Sequence, residues 1–473
     1  MSSMTDDAGA GPRTVDTIIR DTMIVTLDPG RRIITHGSIA IDGDRIVAVG
    51  KAAEVDADFI GREVVDGRRF VTAPGFVNGH IHVTGEPLTR GFVPDDTGWY
   101  DNVFNWLIPL YQAQTEEEER LAAQLAAVEM LRNGVTSFIE AGTIRHLDAA
   151  VDGLRQIGIR GRVGQWAQDR AFSPDDDQAA MTRATIDLMQ REMERFPGTG
   201  DALISAWPSM VGHMTGTDDL WREAAALAKA HGAGVSAHMS PVEADPDWYL
   251  ANTGRRPIQH LAELGVLGPD LCLTHAVHLD DSEVELLAQS GTHVSHCPMS
   301  ALKGAYGATG HGKFPEMAAR GVNIMLGTDG ANNGNSGDLM RAMYLVAGLF
   351  KDARRDTKLF PAHEALTMAT LNGARGMGLA DRIGSLEVGK KADLVLHDIE
   401  RPEWRPLMNV VNQMVWSADG RGVHTVFVDG VRVVSDYRCT LVDEGALFAQ
   451  AEIAGRAVCE RAGLSSVGPW PTL

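Results

Sequence analysis

The sequence predicts an α/β protein, a (β/α)8 TIM barrel with a small β-sandwich domain formed from both chain termini. Three observations carry this. Between about residues 71 and 380, short apolar runs alternate with amphipathic helical stretches, the pattern of βα units on a parallel sheet. Eight such runs occur, the number a closed barrel needs: 70–73 leading to His82, then 136–139, 161–164, 203–206, 234–237, 271–274, 293–295 and 322–326. The flanks read differently, as short strands around tight turns such as Asp42-Gly43-Asp44 and Asp429-Gly430. Neither flank has enough strands for a core, so the two are expected to pair with each other.

Taken in order, residues 1–13 are small, acidic and polar, and are expected to be disordered. Residues 14–70 and 381–445 form the composite β-domain, 71–380 the barrel, and 446–473 a C-terminal helix and tail. The helix before the second barrel strand shows the local logic. Thr115 caps it, Glu118 completes a capping box, Leu121, Leu125 and Val128 mark one face, and Asn133-Gly134 ends it.

A chain of 473 residues exceeds one small core and suits a barrel plus a second unit. Hydrophobic residues make up 44% and charged residues 22%, an ordinary globular balance. Lys+Arg 43 against Asp+Glu 63 gives a formal charge of -20 with no basic cluster, which argues against nucleic acid and anionic membranes as partners. The four cysteines lie far apart and make no paired metal motif, so a reducing, cytoplasmic setting is expected. No apolar run reaches the length of a membrane span, and the N-terminus lacks the apolar stretch of a signal peptide.

In parallel barrels the reactive groups sit where strands end. Here the first strand runs into His80-Ile81-His82, the fifth into His238, the sixth into His275 and His278, the seventh into His296, and the eighth into Asp329. On extended backbone a His-x-His pair sends both rings to one face. One strand-end histidine is usually a hydrogen-bonded rim residue, but imidazoles and a carboxylate converging from five strands call for a metal.

The same residues resemble the amidohydrolase superfamily, and within it the cytosine-deaminase and triazine-hydrolase-like group. The resemblance covers nearly the whole chain. Its landmarks are the runs 74–82 (PGFVNGHIH), 295–300 (SHCPMS), 327–330 (GTDG), 368–375 (MATLNGAR) and 383–394 (IGSLEVGKKADL). It implies metal ligation by His80, His82, His238 and Asp329, with His275 beside the metal polarising the substrate. One divalent ion is implied, zinc first, with iron, manganese and cobalt also compatible with three imidazoles and a carboxylate. Such an ion would make water acidic enough to attack at neutral pH. Asp329 would accept the water proton and pass it to the departing nitrogen, and His275 would steady developing negative charge, worth about 3 kcal/mol for one well-aimed donor. Two-metal members of the superfamily bridge their ions with a carbamylated lysine of the fourth strand; no lysine occurs between Lys51 and Lys229, which favours one metal. A homodimer or larger homo-oligomer is also implied.

One position departs from the group. A deaminase normally carries a glutamate three residues after the fifth-strand histidine, to protonate a ring nitrogen, but this chain has Pro241 there. Glu243 is the nearest replacement. The gap tilts the expected reaction toward a urea, carbamate or amide carbonyl, such as a phenylurea or thiocarbamate. Deamination or dechlorination of an N-heterocycle such as a triazine, pyrimidine or purine is the alternative, and a non-catalytic scaffold a remote one. Arg90, Trp99, Trp106, His278, His296 and Asn335 are expected substrate contacts, with the aromatics of the loop after the first strand walling the pocket.

Overall fold

The computed structural model describes residues 11–198 and 202–465. The disordered start expected for 1–13 falls mostly outside them, and so does the end of the C-terminal tail. Arg13, placed in that start, opens the first strand of the terminal sheet.

Eight parallel strand positions form the barrel. They are Phe76–Ile81, Val135–Glu140, Arg160–Val163, a fourth in two pieces (Ile204–Ala206 and Ser209–Gly212), Val235–Met239, Leu271–His275, His293–His296 and Ile324–Leu326. Trp207-Pro208 divides the fourth, because proline has no N–H for the ladder. Between the eighth and first strands the ring closes through Thr328 N and Asp329 N, which both donate to His80 O at 3.0 Å. These closing bonds fix Asp329 beside the His-x-His pair.

The run 70–73, expected to open the barrel, is corrected by the structure. Phe70–Pro74 belongs to the terminal sheet, where it pairs antiparallel with Leu394–Asp398, and the barrel begins only at Phe76. Gly75 marks the crossing. A Cβ there would lie 2.1 Å from Thr136 Oγ1, so only glycine lets the chain pass from one sheet to the other at this point.

The terminal sheet has nine strands drawn from both flanks. Arg13–Val25 lies near its centre, and period-two alternation sends Ile19 and Ile39 into one cluster and Ile18 and Ala40 into another. The sheet is tied to the N-terminal end of the barrel by buried charge. Arg160, first residue of the third barrel strand, meets Asp393 at 3.0 Å and Asp429 at 3.0 Å, its side chain 3% exposed and that of Asp393 1%. The helix Glu116–Arg132 carries a capping box, Thr115 N donating to Glu118 Oε2 at 2.8 Å. No helix among the described residues is long and apolar enough to cross a membrane.

Candidate metal centre

His80, His82, His238, His275 and Asp329 meet at the C-terminal mouth of the barrel. His82 Nε2 lies 3.1 Å from Asp329 Oδ1, His80 Nε2 3.7 Å from the same oxygen, and His275 Nε2 3.9 Å from Oδ2. The rings of His80 and His238 are 4.8 Å apart and those of His238 and His275 5.6 Å. Ligand-capable atoms of His80, His82 and His238, and separately of His80, His275 and Asp329, all fall within 4.8 Å of one another.

The outer ring nitrogens explain why the inner ones converge. His80 Nδ1 pairs with Thr274 Oγ1 at 3.0 Å, His238 Nδ1 donates to Val211 O at 2.9 Å, and His82 Nδ1 faces Glu86 Oε1 at 3.5 Å. Each imidazole is thereby turned so that Nε2 points inward, the arrangement that metal-binding histidines need. His80 Nε2 and both ring nitrogens of His82 are buried and make no hydrogen bond within the protein. Buried polar atoms left in this way are costly unless a ligand satisfies them.

The electrostatics agree. Burial disfavours charge on His82, yet the carboxylates of Asp329, Glu86 and Glu140 outweigh it and hold its pKa up at about 9. Burial pushes Glu140 up to about 7 despite the His82 ring and the amides of Gly142 and Thr143. Asp329 is the carboxylate held ionised among these imidazoles, and three inward-facing ring nitrogens with one carboxylate oxygen are a donor set that fits a divalent cation. His275 is different, since burial brings it down to about 3 against the opposing pull of Asp329. It is a neutral ring at pH 7.

Two of these residues, and His213 just past the fourth barrel strand, have strained backbone. His275, Asp329 and His213 have φ of 75°, 62° and 52°, in the left-handed region that side chains other than glycine enter at a cost.

The structure does not bring every expected residue here. Glu243 is exposed where the helix Ala244–Thr253 begins, so it does not take over the position vacated by Pro241. Ser240, with φ 50°, turns the chain before it can reach inward. His296 faces outward, its ring 3.9 Å from Phe314, because alternation along its strand gives the inner face to Ser295. His278 Nε2 donates to Tyr306 O at 2.9 Å, and Asn335 Oδ1 accepts from Lys303 Nζ at 2.9 Å, so both hold loops. Arg90 pairs with Glu129 and lines a groove of about 940 Å3 against the C-terminal helix, on the flank of the barrel. Trp106 packs on Phe92 at 6.0 Å, within its own loop. Of the expected pocket walls, Trp99 reaches the site, edge-on to His213 at 5.5 Å.

His213 is a residue that sequence reasoning missed. It follows the second piece of the broken fourth strand, stacks on His238 at 5.6 Å, and donates through Nδ1 to Asp245 Oδ2 at 2.6 Å. Asp245 is fully buried and also accepts from Ser240 N at 2.8 Å. The available signal was a histidine one residue past a strand end, hidden by the break at Trp207-Pro208.

Comparison with known proteins places this geometry in context. A family model described as "Amidohydrolase family" matches residues 71–433. The chain is 32% identical over 95% of its length to a 5-methylthioadenosine/S-adenosylhomocysteine deaminase of Syntrophobacter fumaroxidans, covering 99% of that relative. It is 30% identical over 94% of its length to a 5'-deoxyadenosine deaminase of Methanosarcina mazei, again covering 99% of it. Among solved structures, an adenosine deaminase from Xanthomonas campestris with bound zinc superposes with a TM-score of 0.85 at 28% identity, over 95% of this chain and 100% of that one. With histidines and an aspartate gathered on one barrel mouth and this match across most of its length, the chain belongs to the amidohydrolase family, metal-dependent hydrolases of carbon–nitrogen bonds.

Proposed function

We propose that the protein is a zinc-dependent hydrolytic deaminase of an adenine nucleoside whose 5′ carbon carries something other than a hydroxyl group. Relatives matching 94% and 95% of the chain at 30% identity or more carry deaminase names of that kind, and the similar adenosine deaminase structure holds zinc. The observation that carries the reading is His213. Deamination needs a donor to the ring nitrogen beside the attacked carbon, and the glutamate usual for that task is replaced by Pro241. His213 stands over His238 with its Nδ1 donating to Asp245, so Nε2 can donate to the ring nitrogen when the ring carries both protons, the charged form that pairs with the Asp245 carboxylate.

His80, His82, His238 and Asp329 would hold the zinc, which when bound would supply a water activated for attack. Asp329 accepts a proton from the attacking water and hands it to the exocyclic amine as this departs. His275, neutral, hydrogen-bonds the oxygen that arrives on the ring. Of the two protons of water, one ends on the ring nitrogen and the other leaves with ammonia. Trp99 flanks His213 and offers an aromatic face to the base.

A second reading, hydrolysis of a urea or carbamate carbonyl, is favoured by Pro241 alone, since a carbonyl substrate needs no ring-nitrogen acid. A panel separates the two. Ammonia release from 5′-deoxyadenosine or 5′-methylthioadenosine, with no amine from aryl ureas or thiocarbamates, is the expected result. Amine release from the ureas with no ammonia from the nucleosides would reverse the assignment.

A further inference from the structure

We propose that Glu86 is a positioning residue of the metal centre, one carboxylate that sets two of its four ligands by tying His82 to the turn that follows Asp329. The inference rests on the metal reading above and concerns how the site is held. Glu86 is fully buried. Its Oε1 lies 3.5 Å from His82 Nδ1, an ion-pair contact that is not closed into a hydrogen bond here, and it accepts from Tyr111 OH at 2.7 Å and from Asn333 Nδ2 at 3.2 Å. Its Oε2 accepts from the backbone N–H of Asn332, whose own amide donates to Thr89 Oγ1 at 3.1 Å.

The contacts therefore run in two directions. Toward the first strand, the carboxylate faces the outer nitrogen of His82 and leaves Nε2 as the atom turned to Asp329. Toward the eighth, it grips the turn at Asn332 and Asn333, three and four residues past Asp329. Gly330 makes the approach feasible, since a Cβ at that position would lie 1.9 Å from Glu86 Oε1. Glycine here is a packing requirement imposed by the carboxylate, and its φ is not in the left-handed region.

A carboxylate behind a histidine ligand fixes its tautomer and strengthens it as a donor, and loss of such a partner typically weakens metal binding about 10- to 100-fold. Here the same group also orients the loop of a second ligand. Zinc affinity of the metal-stripped protein, measured by chelator competition, tests this on the wild type, Glu86→Gln and Tyr111→Phe. The wild type is expected to bind one zinc, and Glu86→Gln to bind it about 10- to 100-fold more weakly. Tyr111→Phe, which removes one of the hydrogen bonds to the carboxylate, should fall between them. The stripped Glu86→Gln protein should melt close to the stripped wild type, since the effect belongs to the metal site and not to the barrel. Should Glu86→Gln fail to fold, Asn333→Ala removes one grip on the turn without touching a ligand, and is expected to bind zinc several-fold more weakly. Affinity equal to the wild type in the folded variant overturns the proposal and leaves the metal reading intact. A wild type that binds no zinc overturns both.

Discussion

Asp329→Asn should lower kcat/KM by about 1,000-fold or more while leaving the fold in place. The substitution keeps the shape of the side chain and an oxygen able to accept from Gly330 N, a bond of 2.7 Å in the structure. What it removes is the negative charge shared by His80, His82 and His275, together with the capacity to take a proton from water. Asp329 is held well below the usual carboxylate range: burial opposes ionisation, and the surrounding histidines overcome it. The group is thus ionised and ready to accept a proton, a state that asparagine cannot copy. Steady-state kinetics beside far-ultraviolet circular dichroism and a thermal melt check the expectation. A folded variant retaining a tenth or more of wild-type turnover would remove Asp329 from the chemistry.

The second large effect lies at the opposite end of the barrel. Asp393→Ala should cost about 3–5 kcal/mol of stability, because it leaves the buried Arg160 guanidinium without its main partner. Asp393 accepts from Arg160 Nε at 3.0 Å and from Nη2 at 3.1 Å, and Asp393 Oδ1 also accepts from Asp429 N at 2.7 Å. Asp429 remains 3.0 Å from Arg160 and offsets part of the loss. The effect comes from a partly uncompensated charge in a buried interface more than from the strength of the pair itself. Urea unfolding, read by the shift of the midpoint, measures it, and a loss below about 1 kcal/mol would show that solvent or Asp429 takes over the charge.

These two residues also show what the sequence discloses and what it hides. Asp329 and the His80-Ile81-His82 pair are legible because strand periodicity and strand ends are local properties. The barrel is legible for the same reason, as eight apolar runs separated by helical stretches. The first strand was drawn one element too early, because Phe70–Pro74 and Phe76–Ile81 are two extended segments separated by the single residue Gly75. The division at Gly75 depends on Thr136, a neighbour more than sixty residues away. Glu243 and Asp245 show the limit most clearly. Both are acidic and both follow His238, but a left-handed Ser240 and the bond from Ser240 N to Asp245 decide which is buried. His296 fails for a simpler reason: in a strand that ends at the mouth, alternate residues face the helices, and its place in the register could not be read without the structure. Glu86 was passed over because its partners, Tyr111, Asn332 and Asn333, come together only when the barrel closes.

The central claim is that the imidazoles and the aspartate at the barrel mouth work through one bound divalent ion. The most direct test is turnover of 5′-deoxyadenosine after exhaustive dialysis against a chelator, followed by titration with zinc. The account predicts that ammonia release falls to background and returns fully with about one zinc per chain, as expected for a single site. Undiminished release from protein shown to be free of metal would contradict it.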